Sequence, residues 1–214
     1  QRAAGRGGLL AAELAAAAAA ALIAADDDRL ALAAINGPRS VVLAGEPAAL
    51  DRALAELTAR GVRARRLRVE FAFHSPQMAP LQPELRAAIG PLQPGRAALP
   101  MYSTVTGAAV AGPELDADHW VRGIREPVAL ARAIARALAA GHRTFLELGP
   151  HPIHLADLEA CVRSTPGCTV APTLRRDRDA RAGLLRALST LFVAGAPAEL
   201  ARLFPAGGRL APLP

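Results

Sequence analysis

The chain has 214 residues, 52% hydrophobic and 21% charged, enough apolar material for a real core and too much for a chain disordered by composition. All 25 basic residues are arginine against 19 acidic ones, a net charge of +6, so a Schiff-base lysine, a P-loop lysine or a Ser–Lys acylation base is excluded from these residues. The charge invites nucleic acid, but only 3% of the residues are aromatic and the arginines are scattered from Arg2 to Arg209, which argues against a stacking platform or a basic tail. Abundant alanine with arginine and no lysine reads most simply as GC-rich coding bias.

Residues 1–7 read as the end of a truncated helix or linker, and a chain that opens on Gln1 rather than Met suggests a piece of something longer. GGLLAAEL over 7–14 reads as a short strand, and the alanine run 16–24 as a helix, alanine being a strong helix former. Early arginines, the apolar run Leu9 to Ala25 and then Asp26-Asp27-Asp28 imitate a signal peptide. Alanine inserts poorly into membranes and Glu13 interrupts the run, so a packed helix is expected there, with no membrane association. LALAAIN (30–36) and SVVLAG (40–45) read as strands joined at the turn pair Gly37-Pro38. Glu46-Pro47 opens a helix with Leu50, Leu54 and Leu57 at helical spacing, closed by Gly61; VRARRLRV (62–69) returns as a strand. The order strand, helix, strand, strand, helix, strand predicts a ferredoxin-like unit over 8–69.

From residue 70 helices and strands alternate. A helix follows Pro80, MYSTV (101–105) is a strand, and Asp116 to Gly123 is a short helix. Glu126-Pro127 predicts another helix start, with Val128, Ala131, Ile134 and Leu138 as its apolar face and Gly141 past its end. TFLEL (144–148) reads as a buried strand that ends at the corner Gly149-Pro150-His151-Pro152. CTVAPTL (168–174) and a helix over 178–194 complete the body at residue 195. Residues 196–214, punctuated by Pro and Gly, read as a linker.

Cys161 and Cys168 have neither zinc-type spacing nor a disulfide framework, which fits a reducing, cytoplasmic setting. His119 and His142 lie near a helix start and a helix end, where structural roles are expected. His151 and His154 are three apart, but no cysteine or carboxylate pair accompanies them, so no metal site is predicted. His74 differs: it stands where the first pattern ends and the second begins, the kind of loop where clefts form.

The run Val69-Glu70-Phe71-Ala72-Phe73-His74-Ser75-Pro76 resembles the catalytic-histidine motif of acyltransferase domains in type I polyketide synthases. Four further stretches are similar in order and spacing: Ala34 to Val42, Tyr102 to Gly107, His119-Trp120 through Val128, and Phe145 to Pro152. The tail from Leu203-Phe204-Pro205 is similar to the linker that follows these domains. The resemblance implies an α/β fold, a ferredoxin-like small subdomain (8–69) plus the C-terminal part of an α/β-hydrolase-like acyltransferase core (70–195). It implies a transferase that moves an acyl group from CoA to the phosphopantetheine thiol of an acyl carrier protein, with no bound cofactor and with neighbouring synthase domains such as a ketosynthase. His74 then takes the role of general base and acid, and the backbone carbonyl of Glu126 that of its orienting partner. Phe71, Ala72 and Phe73 would touch substrate. Phe71-Ala72-Phe73-His74 stands nearer the His-Ala-Phe-His form associated with malonyl than the Tyr-Ala-Ser-His form of methylmalonyl enzymes, although Phe71 departs from both.

The family's nucleophile is missing. No Gly-X-Ser-X-Gly occurs, and none of Ser40, Ser75, Ser103, Ser164 or Ser189 sits on an elbow. In the family that serine and the arginine that pairs with the malonyl carboxylate precede the small subdomain; Arg2 and Arg6 do not match the arginine. The chain alone is therefore expected to be inactive. Competing readings are a non-catalytic scaffold or carrier-docking module using the arginine surface, and a free-standing malonyl transferase of fatty-acid synthesis, which the linker-like tail disfavours. An RNA-binding ferredoxin-like domain is disfavoured too, since Val41, Val42 and Leu43 stand where stacking rings should be.

Overall fold

The computed structural model describes residues 5–25, 29–197 and 199–203. By backbone proximity the chain forms two compact units, residues 1–142 with 156–166, and residues 143–155 with 167–214.

The first unit is built on a four-stranded antiparallel sheet of β1 (Gly8–Ala12), β2 (Leu30–Gly37), β3 (Ser40–Gly45) and β4 (Ala64–Arg66), in the order β2-β3-β1-β4. Helices α1 (Ala16–Ala24) and α2 (Pro47–Ala59) complete the sequence strand, helix, strand, strand, helix, strand. Burial alternates along β1, so Leu10 and Ala12 face the helices while Leu9 and Ala11 face the other way. Leu10 and Leu43 from the sheet meet Leu22 of α1 and Leu50 and Leu57 of α2 in the main core. The opposite face is lined by small residues, Ala33 and Ala44, covered by Ala72.

The strand expected over 62–69 is shorter. Leu67 still donates to the Leu9 carbonyl, but the Val69 N–H turns back onto the Leu67 carbonyl at 2.9 Å, and this γ-turn carries the chain off the sheet toward His74. A 3-10 turn (Pro76–Leu81) leads into α3 (Gln82–Ile89). Strand β5 (Met101–Ser103) pairs with β6 (Ala108–Val110), a hairpin partner the sequence reading did not foresee. Helix α4 (Ala117–Gly123) is capped by Asp116, whose side chain accepts the His119 N–H at 2.9 Å.

Helix α5 (Leu130–Ala139) starts later than Pro127. Val128 is drawn onto the edge of β2, donating to the Ala33 carbonyl at 2.8 Å and accepting the Ile35 N–H at 2.9 Å, and Ala129 donates to the Thr104 carbonyl at 2.7 Å. These bonds keep Val128 in a bridge with β2 and out of the helix, and Glu126, the residue before a proline, is itself biased away from helical backbone. Its buried residues are Ala133 and Ala137 rather than the larger Ile134 and Leu138. Most of α6 (Leu155–Val162) also belongs to this unit, with Leu158 and Val162 buried.

In the second unit β7 (Thr144–Glu147) pairs in parallel with β8 (Thr169–Pro172), and α7 (Ala180–Val193) follows with Asp179 as its cap. The stretch expected as a buried strand, TFLEL, is half-buried at best, and Leu148 is 79% exposed. Among the described residues β7 has one neighbouring strand, β8.

Candidate active site

Ser75 shapes the loop that carries His74. It is buried, and its hydroxyl donates to the Ala72 carbonyl at 2.6 Å and accepts the Gln77 N–H at 3.2 Å, while its carbonyl accepts the Met78 N–H. The loop is thereby closed over Phe73 and His74, and His74 takes a left-handed conformation with φ of 60°. For a residue with a side chain this costs roughly 1–2 kcal/mol. Part of that cost is offset by the His74 N–H, which donates to the Ile124 carbonyl at 2.9 Å.

The ring is oriented from the same segment. His74 Nδ1 lies 3.1 Å from the carbonyl oxygen of Glu126. A carbonyl can only accept, so Nδ1 carries the proton in the neutral ring and Nε2 keeps its lone pair. No residue among those described is hydrogen-bonded to Nε2 or offers a serine hydroxyl to it. The carboxylate of Glu126 pairs with Arg125 at 3.6 Å.

Both halves of this contact are anchored in one sheet. Ala72 is packed on the face of the sheet against Ala33 and Ala44, and Val128 is paired with the edge of β2. The approach of residues 5–7 to this loop is close: Gly5 donates to the Glu70 carbonyl, and a methyl at Gly7 would lie 2.7 Å from Ala72 Cβ. The side chain of Ala72 is thus occupied by packing. Phe73 is 40% exposed, with its ring centroid 5.5 Å from that of Phe71 and 6.5 Å from the His74 ring.

The other histidines are spent elsewhere. His119 is buried, with Nε2 3.2 Å from the Ser103 hydroxyl; His142 stands edge-on to Tyr102; and His151 Nδ1 accepts the Arg176 N–H. Among the described residues no group of three or more His, Cys, Asp or Glu side chains is placed to hold a metal, and no helix is long and apolar enough to cross a membrane. The sequence reading missed the Ile124 carbonyl and the edge pairing of Val128. The one available signal was Glu126-Pro127, an X-Pro step just beyond a helix end, which favours extended backbone.

The acyl transferase domain family matches residues 1–198. The chain belongs to the acyltransferase domains of polyketide synthases. It is 42% identical over 209 residues to the spectinabilin polyketide synthase system protein NorA' of Streptomyces orinoci, covering 97% of this chain and 6% of that protein. It is 37% identical to erythronolide synthase EryA2 of Saccharopolyspora erythraea, covering 90% of this chain and 6% of that one. The mixed α/β fold is similar to the crystal structure of the acyltransferase domain from module 8 of the salinomycin polyketide synthase. The TM-score there is 0.89 at 36% identity, over 94% of this chain and 48% of the other. A malonyl CoA-acyl carrier protein transacylase from Clostridium perfringens, at 23% identity and a TM-score of 0.76, shares the fold. The acyltransferase chain thus spans a few per cent of the synthases it matches and about half of the solved salinomycin domain.

Proposed function

We propose that this acyltransferase chain supplies the histidine half of a Ser–His transacylase, acting within a longer cytoplasmic synthase that supplies the serine on a Gly-His-Ser-X-Gly elbow. The supporting observation is the arrangement of His74, with Nδ1–H directed at the Glu126 carbonyl and Nε2 left with its lone pair. In the first half-reaction Nε2 takes the serine proton as the serine oxygen attacks the thioester carbonyl of acyl-CoA. The C–S bond then breaks, and the imidazolium returns the proton to the departing CoA thiol. In the second, Nε2 takes the proton of the carrier protein's phosphopantetheine thiol, the sulfur attacks the acyl-serine, and the serine oxygen leaves with that proton. A positioned base of this kind contributes about 10²–10⁴-fold. The Glu126 carbonyl fixes the tautomer and stabilises the imidazolium, the work an aspartate does in a three-residue triad.

On this reading residues 8–69 are a ferredoxin-like small subdomain, an assignment that the strand order β2-β3-β1-β4 supports. Residues 70–195 are the C-terminal part of the large α/β subdomain. The post-acyltransferase linker at 196–214 and the segment 1–7 lie largely outside the described residues. Phe71 and Phe73 border the acyl site and favour malonyl, the Phe73 ring occupying space that a serine would leave for an α-methyl group; Ala72 positions them. The partners are an acyl carrier protein, acyl-CoA and neighbouring domains such as a ketosynthase.

The test is acyl transfer from malonyl-CoA to a carrier protein. The intact parent domain transfers, its His74→Ala variant loses about 10²-fold or more, and the 214-residue chain alone has no turnover. Transfer by the chain alone, abolished by His74→Ala, would refute the division of the active site.

A further inference from the structure

Ser103 and His119 form a polar pair in the interior, 1% and 4% exposed, and the acid–base cycle above does not use it. Ser103 Oγ lies 3.2 Å from His119 Nε2 and accepts the Val105 N–H at 3.1 Å, while its carbonyl accepts the Gly107 N–H at 2.8 Å. These bonds make the turn between β5 and β6 a rigid block. The next carbonyl in that turn, Thr104, accepts the Ala129 N–H at 2.7 Å. One turn therefore grips both ends of the segment 119–129, His119 at its start and Ala129 at its finish. Between those two points lie the Ile124 and Glu126 carbonyls, the two acceptors on His74.

We propose that Ser103 and His119 are positioning residues for His74, acting through the segment that carries its two acceptors; this rests on the acyltransferase reading of His74. A buried polar pair is costly to leave half-made, and apolar residues could fill the same space. What an apolar pair cannot supply is a directed bond that fixes the rotation of α4 relative to the turn, and hence where the carbonyls beyond its C-terminus point. With that bond cut, α4 keeps its Asp116 cap and the Gln82 bond to the Val121 carbonyl at 3.3 Å, but the turn between β5 and β6 holds the segment at Ala129 alone. The Glu126 carbonyl then no longer dictates the His74 ring plane.

The experiment compares Ser103→Ala, His119→Leu, His119→Gln and His74→Ala in the parent acyltransferase domain, assayed well below the melting temperature. His119→Gln keeps a polar amide, able to donate or accept, near where Nε2 stood. Ser103→Ala and His119→Leu are expected to lower kcat about 10-fold or more, with KM for acyl-CoA within about 2-fold, because a misplaced base fails in the transition state and not in substrate binding. His119→Gln is expected to recover most of that loss. The Nδ1–H resonance of His74 in ¹⁵N-labelled protein should broaden or shift in Ser103→Ala and return toward the wild-type position in His119→Gln. Where His119→Leu does not fold, Ser103→Ala, which removes a single oxygen, decides. Wild-type kcat and an unmoved His74 resonance in Ser103→Ala, with only a lower melting temperature, would overturn the proposal. Unimpaired transfer by His74→Ala would instead overturn the reading of His74 itself.

Discussion

A methyl group added at Gly7 would stand 2.7 Å from both Cβ and N of Ala72 and 2.8 Å from Gln77 Oε1. Carbon contacts are comfortable at about 3.5–4.0 Å, so something must move by about 1 Å. The Gln77 amide is the end of a flexible side chain and can swing aside, whereas the Ala72 contacts involve backbone. Ala72 has little room to retreat, being 1% exposed against Ala33 and Ala44, themselves 1% and 0% exposed. The strain of Gly7→Ala therefore passes along the chain to Phe73 and His74. Overpacking of this kind typically costs 1–3 kcal/mol, roughly, in stability. A displacement of about 1 Å at a catalytic group can cost ~10²-fold in rate, equivalent to about 2.7 kcal/mol of transition-state stabilisation. Urea unfolding followed by circular dichroism, and acyl transfer in the parent domain, measure the two effects. Gly95→Ala is the control, since a methyl there meets nothing within 4 Å. If Gly7→Ala matches that control in both stability and rate, the loop is not braced through Ala72 and the reasoning fails.

Phe73→Ser should relax the acyl preference. One methyl in a pocket is worth ~1–3 kcal/mol, so the malonyl-to-methylmalonyl loading ratio of the parent domain should fall by about 10-fold or more in direct competition; an unchanged ratio would remove Phe73 from the acyl site. The Cys161 thiol, half-buried and bonded to the Asn36 carbonyl at 3.6 Å, has its pKa pushed up by burial and then by the negative charge of Asp157. Iodoacetamide at mildly alkaline pH should therefore label it more slowly than a free thiol, and unfolding should remove the difference; labelling at the rate of a free thiol would contradict this. Because the folded pKa is the higher one, the stability linked to Cys161 is complete below the ordinary thiol pKa and is lost as pH rises through the folded value.

Periodicity made the first sixty residues legible. The leucines of α2 repeat on one face, the alanine run at 16–24 had no better use than a helix, and Gly37-Pro38 marked the hairpin between β2 and β3. Residues 124–129 were not legible in the same way. Pro127 carries a helix-start signal, but Val128 is claimed by the edge of β2, a partner more than ninety residues away in the chain that local pattern cannot see. An apolar run such as that of β7 is buried only where other elements cover both faces of its sheet, which local pattern cannot see either. For the candidate site, His74 stood out by its position between two patterns, whereas its φ of 60° and the two carbonyls that hold it are products of tertiary structure. Ala72 carries no chemical signal at all. Its importance is steric, and it shows only once Gly7, Ala33 and Ala44 are seen around it.

The rates of the two half-reactions bear most directly on His74. Intact-mass measurement of the parent domain, quenched at short times, gives acyl-enzyme formation from malonyl-CoA and, separately, its discharge to the carrier protein. With His74 acting as the base in one direction and again in the other, His74→Ala should slow both steps by about 10²–10⁴-fold. If either step in the variant runs within about a factor of two of wild type, His74 is not the shared base and the account is wrong.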